Sequence, residues 1–341
     1  MRIVKQIPMI LIKLVLVVLV VAATAAVTLI SISGPYAISP EAGSASLPSF
    51  DELIPEGTRT DSALMIKVLF GDEIVEMPLE RYLIGTVAAE MPASFQPEAL
   101  KAQAVAARTN VMYRIDVSPN LRHPDAQVCT DNTCCMAYST DDALRERWGG
   151  DYVKNITRVI DAVLETDGVY MTYGGKPIFA VFHSSSAGKT EASRYVWVSD
   201  LPYLVSVDSP ETPELVPGFI TTVTVSKPEF KDIITNVRPD ALFGEDEESW
   251  ITDVKHTDSG RILELTIGGA VFKGTELRSM FNLRSTAVSI DWTDSDIVFT
   301  VTGYGHGVGM SQYGANIMAM AGNGYDTILS HYYTGIEITG T

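Results

Sequence analysis

Basic residues are scarce in this chain of 341 residues, which has 25 lysines and arginines against 42 aspartates and glutamates. The formal net charge is −17, and no long run of lysine or arginine occurs in the sequence. Because contacts to phosphates need clustered basic side chains, this composition argues against a nucleic-acid partner. No internal repeat is present. The hydrophobic share of 46% and the charged share of 20% are typical of a folded body rather than a disordered chain.

Charge is absent from Leu14 to Ser33, and the residues there are mostly leucine, valine, alanine and isoleucine. An apolar helix of about 20 residues spans a hydrocarbon core of about 30 Å, so residues 1–33 are predicted to be a membrane anchor. The basic residues lie on the N-terminal side of this run, which predicts a cytoplasmic N-terminus and an extracytoplasmic body. The alternative is a signal peptide that is cleaved near Ala22–Ala26.

Residues 34–60 are rich in serine, proline, glycine and glutamate and have little periodicity, so we interpret them as a tether. Residues 61–341 are then the folded body. Within it, helical and extended patterns come in runs without regular alternation, which predicts an α+β fold with mainly antiparallel strands. Residues 208–300 are expected to form a second lobe.

Local patterns place the main elements of the body. Alternating apolar residues from Ala63 to Glu76, with a turn at Gly71-Asp72, predict a strand pair. Two helices should follow, one starting at Pro78 and stopping before Pro92, the other running from Pro97 to about Tyr113. Further strands are predicted at 169–182, 221–225 and 262–267, and further helices at 228–234, 311–321 and 325–333.

Glu90 is a candidate general acid because it is predicted to lie at the C-terminal end of a helix. Carbonyl dipoles there disfavour an anion, and apolar neighbours would desolvate the carboxyl group, so both effects raise its pKa. The alternative is an exposed glutamate without a role. On the next helix, Lys101 and Arg108 share one face. Near Glu90 they could bind substrate carboxylates or stabilise charge, whereas the plainer interpretation of Lys101 is a surface pair with Glu98.

Three segments of the sequence together resemble a known family. They read LERYLIGTVAAEMPASFQPEALKAQAVAARTN (79–110), HSSSAGKTEASRYVW (183–197) and GYGHGVGMSQYGANIMA (303–319). Their content and order are similar to the signature blocks of the stage II sporulation protein D family, and they extend over about residues 65–335. The resemblance implies a lytic transglycosylase that cuts peptidoglycan glycan strands in septal wall remodelling and engulfment during sporulation. The family's catalytic acid then corresponds to Glu90, and its functionally important lysine and arginine correspond to Lys101 and Arg108.

The resemblance also explains why one carboxylate can be enough. Hydrolytic glycosidases use a pair of carboxyl groups. In a lytic transglycosylase the C6 hydroxyl of the sugar attacks instead of water and leaves a 1,6-anhydro-muramyl end. A single glutamate can protonate the leaving oxygen and then accept the C6 proton.

The other two blocks are expected to form walls of a glycan-binding groove between the lobes. The candidate substrate-binding residues are His183, Ser184, Ser185, His306, Ser311, Gln312 and Tyr313. The glycines of the third block would let the backbone approach a ligand, or else they form a tight turn that Ser311 caps at a helix start.

All three cysteines lie close together, at Cys129, Cys134 and Cys135, and His123 precedes them. One histidine and three thiolates form a common set of Zn²⁺ ligands, and four protein ligands leave no open position, so the sequence predicts a structural zinc site. The resemblance agrees, since some clostridial members carry a comparable metal loop. The alternative is one disulfide between Cys129 and Cys134 or Cys135, which leaves one free thiol.

Two other functions remain open at this level. Related proteins with similar blocks enhance peptidoglycan amidases, so the chain could activate such an enzyme without cutting glycan itself. A thiol peptidase or amidase that uses one of the cysteines is the third hypothesis. The family resemblance further implies a membrane-bound amidase and a third engulfment protein as partners, and a position on the mother-cell side of the septum.

Overall fold

The computed structural model describes residues 47–197 and 199–340, and the chain from Pro48 onward groups into one compact unit. The predicted anchor, residues 1–33, and the first part of the predicted tether, residues 34–46, lie outside the described residues. Among the described residues, no helix has both the length and the apolar character that crossing a membrane requires.

The helices and strands of this unit alternate in groups along the chain. Its α-helices are α1 (Phe50–Leu53), α2 (Thr60–Ala63), α3 (Leu79–Glu90), α4 (Pro97–Asp116), α5 (Asp141–Trp148), α6 (Tyr152–Leu164), α7 (Ser193–Val196), α8 (Lys227–Val237), α9 (Gly274–Met280), α10 (Gln312–Met320) and α11 (Tyr325–Tyr332). Its strands are β1 (Met65–Phe70), β2 (Glu73–Pro78), β3 (Val128–Cys129), β4 (Tyr170–Tyr173), β5 (Lys176–Pro177), β6 (Phe182–His183), β7 (Ile220–Ser226), β8 (Ile251–His256), β9 (Ile262–Ile267), β10 (Ala270–Lys273), β11 (Val288–Trp292), β12 (Asp296–Thr302), β13 (Met310–Ser311) and β14 (Glu337–Thr339).

The strands form several small sheets rather than one large one. The strand orders are β2-β1-β3, β10-β9-β8, β11-β12-β7, β13-β6 and β14-β4-β5. Most neighbours are antiparallel, while β1 with β3 and β6 with β13 are parallel pairs. The predicted α+β class is therefore confirmed for the described residues, and the predicted turn at Gly71 joins β1 to β2, where glycine has φ +58°.

A first hydrophobic core surrounds helix α4. Its alanines, Ala99 and Ala104 among them, are fully buried, and α4 contacts α3, α6, α10 and α11. Small side chains let these neighbours approach closely, so α4 is the central helix against which α3, α6, α10 and α11 pack.

A second hydrophobic core lies in the segment that was expected to form a second lobe. It is built from the two sheets β10-β9-β8 and β11-β12-β7 with helices α8 and α9, and Phe230, Leu265 and Phe299 are fully buried at its centre. The stacked rings of Phe230 and Phe281, with centroids 5.3 Å apart, add specific packing to this core.

The folded body starts earlier than residue 61. Ser49 caps α1 in a capping box with Glu52, and Phe50 is 1% exposed. The backbone N–H of Phe50 donates to Asp141 Oδ1 at 3.2 Å. The last part of the predicted tether therefore packs on the body, because the buried phenylalanine offsets the cost of ordering a polar segment that has no periodicity.

Candidate active site

Glu90 is the last residue of α3, as the sequence predicts, because Pro92 prevents the helix from continuing. Its Oε1 accepts a hydrogen bond from the backbone N–H of Ala137 at 2.8 Å. Burial raises the pKa of Glu90 above its ordinary value of 4.5, while the hydrogen bonds from Ala137 and Gln312 oppose this increase. The net effect favours a protonated carboxyl group, which is what a general acid requires.

Two cavities meet at Glu90. The first has a volume of about 430 Å³ and is lined by Phe95, Arg147, Trp148 and Tyr313 among others. The second has a volume of about 320 Å³ and extends past His183, Tyr304 and His306. Glu90, Ser184 and Gln312 line both cavities. The carboxyl group therefore lies midway along a groove that continues on both sides of it, as an enzyme that cuts inside a polymer needs.

Glu90 is the only carboxylate that lines either cavity among the described residues. A hydrolytic glycosidase places a second carboxyl group about 5–9.5 Å from the first. The groove thus has the composition of a site that works with a single acid.

Four of the predicted substrate-binding residues line the groove together with Glu90, namely Ser184, His306, Gln312 and Tyr313. His183 also reaches the second cavity, although its ring is 4% exposed and its Nε2 lies 2.8 Å from Ser186 Oγ. Burial, followed by the charge of Arg278, lowers the pKa of His306 to about 4, and burial also lowers the pKa of His183. Both rings are neutral near pH 7, so they can hydrogen-bond to a ligand but cannot attract an anion.

Ser185 and Ser311 do not reach the groove, which corrects the prediction that they bind substrate. They are 3% and 0% exposed. Ser311 accepts a hydrogen bond from the Gly314 N–H at 3.1 Å as the N-cap of α10 and donates to Glu211, and Ser185 exchanges backbone hydrogen bonds with Tyr304. These serines hold the walls of the groove in place.

The glycines of the third block allow the loop to approach the protein's own backbone. A Cβ atom at Gly303 would lie 2.7 Å from the Ser185 carbonyl oxygen, and one at Gly309 would lie 2.1 Å from that of Val181. Both glycines also have positive φ. Of the two interpretations given above, the tight structural turn is the one that these contacts support.

Lys101 and Arg108 share one face of α4 as predicted, but this face does not lie beside Glu90. Lys101 Nζ pairs with Glu165 at 2.6 Å and with Glu98 at 2.8 Å, and it lines neither cavity. Arg108 is 1% exposed, and its Nη2 lies 2.6 Å from Asp61 Oδ2. A side chain that is fully enclosed by protein cannot touch a glycan, so the expected catalytic contact of Arg108 is corrected to a buried ion pair.

We expect Arg108→Ala to lower the free energy of unfolding by about 3–5 kcal/mol, since removing one partner leaves the buried carboxylate of Asp61 uncompensated. Denaturant unfolding of the purified protein measures this. The matched control is Arg81→Ala, which breaks an exposed pair with Asp51 and should cost less than about 1 kcal/mol. An Arg108→Ala protein of unchanged stability that has lost glycan cleavage would instead support a direct catalytic role.

Two residues of the groove have no signal in the sequence that singles them out. Arg147 and Trp148, at the end of α5, line the first cavity together with Glu90. Arg147 is exposed, and its guanidinium donates to the Ala88 carbonyl at 3.2 Å and to Ser139 Oγ at 2.8 Å. Among the described residues it has no carboxylate partner. It is thus the one cation among the described residues that line the first cavity, whereas Lys101 and Arg108 line neither cavity.

The predicted metal-ligating residues converge. One ligand atom each from His123, Cys129, Cys134 and Cys135 can be chosen so that all four lie within 4.8 Å of one another. His123 Nδ1 lies 3.0 Å from the Ala126 carbonyl oxygen, which makes Nδ1 the protonated nitrogen and leaves Nε2 facing Cys135 Sγ at 3.3 Å. The ligand types and the short distances between them fit a metal ion with tetrahedral coordination.

Two of these thiols, Cys129 and Cys135, are poor candidates for a nucleophile. Burial raises the pKa of Cys129 to about 12 and also raises the pKa of Cys135. Reactive cysteines have lowered pKa values in electropositive surroundings, so these environments speak against the thiol peptidase hypothesis.

The loop that carries the thiols also shapes the groove at Glu90. Asn132, Cys135 and Met136 line the second cavity, and Ala137, two residues after Cys135, donates the hydrogen bond to Glu90. The arrangement of the cysteine loop therefore sets the surroundings of the acid.

Comparison with known proteins agrees with the resemblance noted in the sequence. A family model described as stage II sporulation protein matches residues 71–173. Stage II sporulation protein D of Bacillus amyloliquefaciens is 39% identical over 266 residues, which cover 78% of this chain and 75% of that protein. The protein of the same name from Bacillus subtilis is 38% identical over 268 residues, covering 78% and 76%.

A relative with another name is also similar. The amidase enhancer of Bacillus subtilis is 29% identical over 307 residues, which cover 75% of this chain but 40% of that protein. The identity to the two sporulation proteins is higher and extends over three quarters of their length. From these matches, the chain belongs to the stage II sporulation protein D family.

Proposed function

We propose that this protein is a lytic transglycosylase that cleaves the MurNAc–GlcNAc bond of peptidoglycan glycan strands, with Glu90 as its acid. The observation that carries the proposal is the single, partly buried carboxyl group at the meeting point of two cavities, whose pKa burial raises. Such a group suits the one-carboxylate reaction and does not suit the two-carboxylate hydrolysis.

In the proposed reaction, protonated Glu90 donates its proton to the glycosidic oxygen as the bond from that oxygen to C1 of the muramyl residue breaks. The C6 hydroxyl of the same muramyl residue then forms a new bond to C1, and its proton passes to the Glu90 carboxylate. The products are a 1,6-anhydro-muramyl end and a new 4-hydroxyl end, and no water is consumed. The Ala137 N–H and Gln312 hold the carboxyl group in position through both steps.

We further propose that the protein acts in septal wall remodelling and engulfment during sporulation. Residues 1–33 would anchor it with a cytoplasmic N-terminus and place the folded body outside, on the mother-cell side of the septum. A membrane-bound amidase that strips stem peptides and a third engulfment protein are the proposed partners. Anchoring all three at one membrane would raise their effective concentration for each other.

The four converging residues His123, Cys129, Cys134 and Cys135 support the proposal of a structural Zn²⁺ site. Zinc would contribute folding stability to the loop, while the acid–base chemistry stays with Glu90.

Arg147 is proposed to bind the lactyl carboxylate that a muramyl residue exposes once its peptide is removed. We expect Arg147→Ala to raise KM for peptide-free strands about tenfold with a smaller change in kcat, because a hydrogen bond to a charged group is worth about 1.5–3 kcal/mol and this one is partly exposed. The control is Arg145→Ala, whose guanidinium already pairs with Asp141 at 2.8 Å. An equal change in both variants would contradict the assignment.

The second candidate function, activation of a peptidoglycan amidase without glycan cleavage, is favoured by the similarity to a protein named amidase enhancer. The experiment that separates the two adds wild-type protein and Glu90→Gln to a peptidoglycan amidase and measures released peptide and cleaved glycan in the same samples. Glycan cleavage that only the wild type performs supports the enzyme. Equal stimulation of peptide release by both proteins, with no glycan cleavage, would replace it with the activator.

A further inference from the structure

A third cavity, larger than the two beside Glu90, lies between helix α7 and the sheet of the second core. Its volume is about 530 Å³. The aromatic rings of Tyr195 and Trp197 come from the end of the second signature block, and Thr275, Thr286 and Lys273 come from the second core. The cavity therefore joins the two cores, and the proposed reaction at Glu90 makes no use of it.

Most of the charged groups in this lining already have hydrogen-bond or ion-pair partners within the protein. Glu191 is 1% exposed and accepts hydrogen bonds from Thr257 and Ser259, Arg194 pairs with Asp258 at 3.2 Å, and Glu264 pairs with Lys255 at 2.6 Å. Among the described residues, Lys273 is the lining cation without an ion pair. What remains for a ligand is ring surface, hydroxyl groups and one ammonium group.

This combination matches a glycan better than a peptide. Sugar rings present apolar C–H faces that pack on aromatic rings, and their hydroxyls pair with threonine hydroxyls. A single cation suits the carboxylate that a muramyl residue carries on every second sugar of a strand. A peptide with several charges would find most of the charged groups here already occupied.

The third cavity also lies next to the groove at Glu90. The ring of Trp197 lies 5.2 Å, centroid to centroid, from the ring of His306. His306 lines the second cavity together with Glu90, and Trp197 lines the third. A strand that leaves Glu90 through the second cavity would thus meet Trp197 next.

We propose that the third cavity is a distal saccharide subsite, which binds sugars of the same glycan strand several residues away from the bond at Glu90. The proposal rests on the glycan substrate of the proposed function. Such a subsite would give the second core a role, since that core supplies one wall of the cavity. Binding would then depend on strand length, because only a long strand can occupy the groove and the subsite together.

The test measures Kd for glycans with and without stem peptides on the full-length Glu90→Gln protein, which keeps binding separate from turnover. A further Tyr195→Ala/Lys273→Ala change should weaken the binding of long strands about tenfold and leave tetrasaccharide binding unchanged. The control carries Tyr173→Ala/Lys176→Ala instead, a tyrosine and an exposed lysine paired across another hairpin. Lys273→Ala alone changes an exposed side chain, so it tests the site without risk to the fold.

Equal weakening of short and long strands, or no weakening of long strands, overturns the subsite. A loss confined to strands that still carry peptides overturns it in favour of a stem-peptide site. If the wild type cuts no glycan but length-dependent binding to the third cavity persists, the proposed transglycosylase activity is wrong and the proposed subsite is supported. If neither short nor long strands bind, the proposed subsite is wrong as well.

Discussion

Replacing Glu90 by glutamine should reduce glycan cleavage by about 10²–10⁴-fold, the usual contribution of general acid–base catalysis. Glutamine keeps the size of the side chain but cannot donate the proton that the leaving oxygen needs. The assay counts new 1,6-anhydro-muramyl ends by mass spectrometry after incubation with peptide-free strands. The control is Glu73→Gln, an exposed glutamate on strand β2, which should cleave as the wild type does.

The melting temperature of Glu90→Gln shows whether a loss of cleavage comes from the missing proton donor or from a damaged fold. Because burial raises the pKa of Glu90 in the folded state, the folded protein favours the protonated form. Its ionisation therefore costs stability as pH rises from the unfolded pKa through the folded one. Glu90→Gln removes this cost, so its melting temperature at neutral pH should equal or exceed that of the wild type. A lower melting temperature would mean that the carboxyl group is structural.

The raised pKa of Glu90 also sets the direction in which the rate of glycan cleavage depends on pH. Cleavage needs Glu90 protonated, so the rate should fall as pH rises through the pKa of Glu90, which lies above 4.5. Since His183 and His306 have lowered pKa values, they are already neutral in that range and add no second change of charge. An activity that increases with pH over this range would contradict Glu90 as the acid.

Removal of the proposed zinc should also lower the stability of the fold. A chelator under reducing conditions, or Cys135→Ser, should lower the melting temperature by several degrees, at about 2–4 °C for each kcal/mol lost in a domain of about this size. Cleavage should fall as well, because the cysteine loop carries the Ala137 N–H that holds Glu90. Asp125→Asn, an exposed carboxylate in the same loop that lies outside the ligand set, is the control.

The disulfide alternative gives the opposite pattern. If Cys129 were joined to Cys134 or Cys135, a reductant alone would lower the melting temperature and a chelator would not. Metal analysis of the purified protein completes the comparison, since the zinc proposal requires about one equivalent of bound ion that is lost in Cys135→Ser.

Local patterns were enough to predict several elements, including the helix that ends at the acid. Pro92 ends α3 at Glu90, Gly71 turns the first hairpin, and the strand predicted at 262–267 matches β9. Each of these features depends only on residues that are close together in the chain, so it can be predicted from the sequence. The cluster of His123 with the cysteines was predictable for the same reason.

Contacts between distant parts of the chain were not predictable. The partner of Arg108 is Asp61, 47 positions away, at the boundary between the predicted tether and the predicted body. Arg147 enters the groove because α5 packs against α6, and no motif marks it. Ser185 and Ser311 have the residue type of a sugar-binding side chain, but their burial depends on backbone pairing between the second and third blocks.

We propose that this groove breaks a glycosidic bond with one carboxyl group and without water. The most direct measurement incubates the protein with peptide-free glycan strands in H₂¹⁸O and identifies the new ends by mass spectrometry. We expect 1,6-anhydro-muramyl ends without ¹⁸O, and none from Glu90→Gln. Reducing muramyl ends that carry ¹⁸O would show hydrolysis and would contradict the proposed reaction.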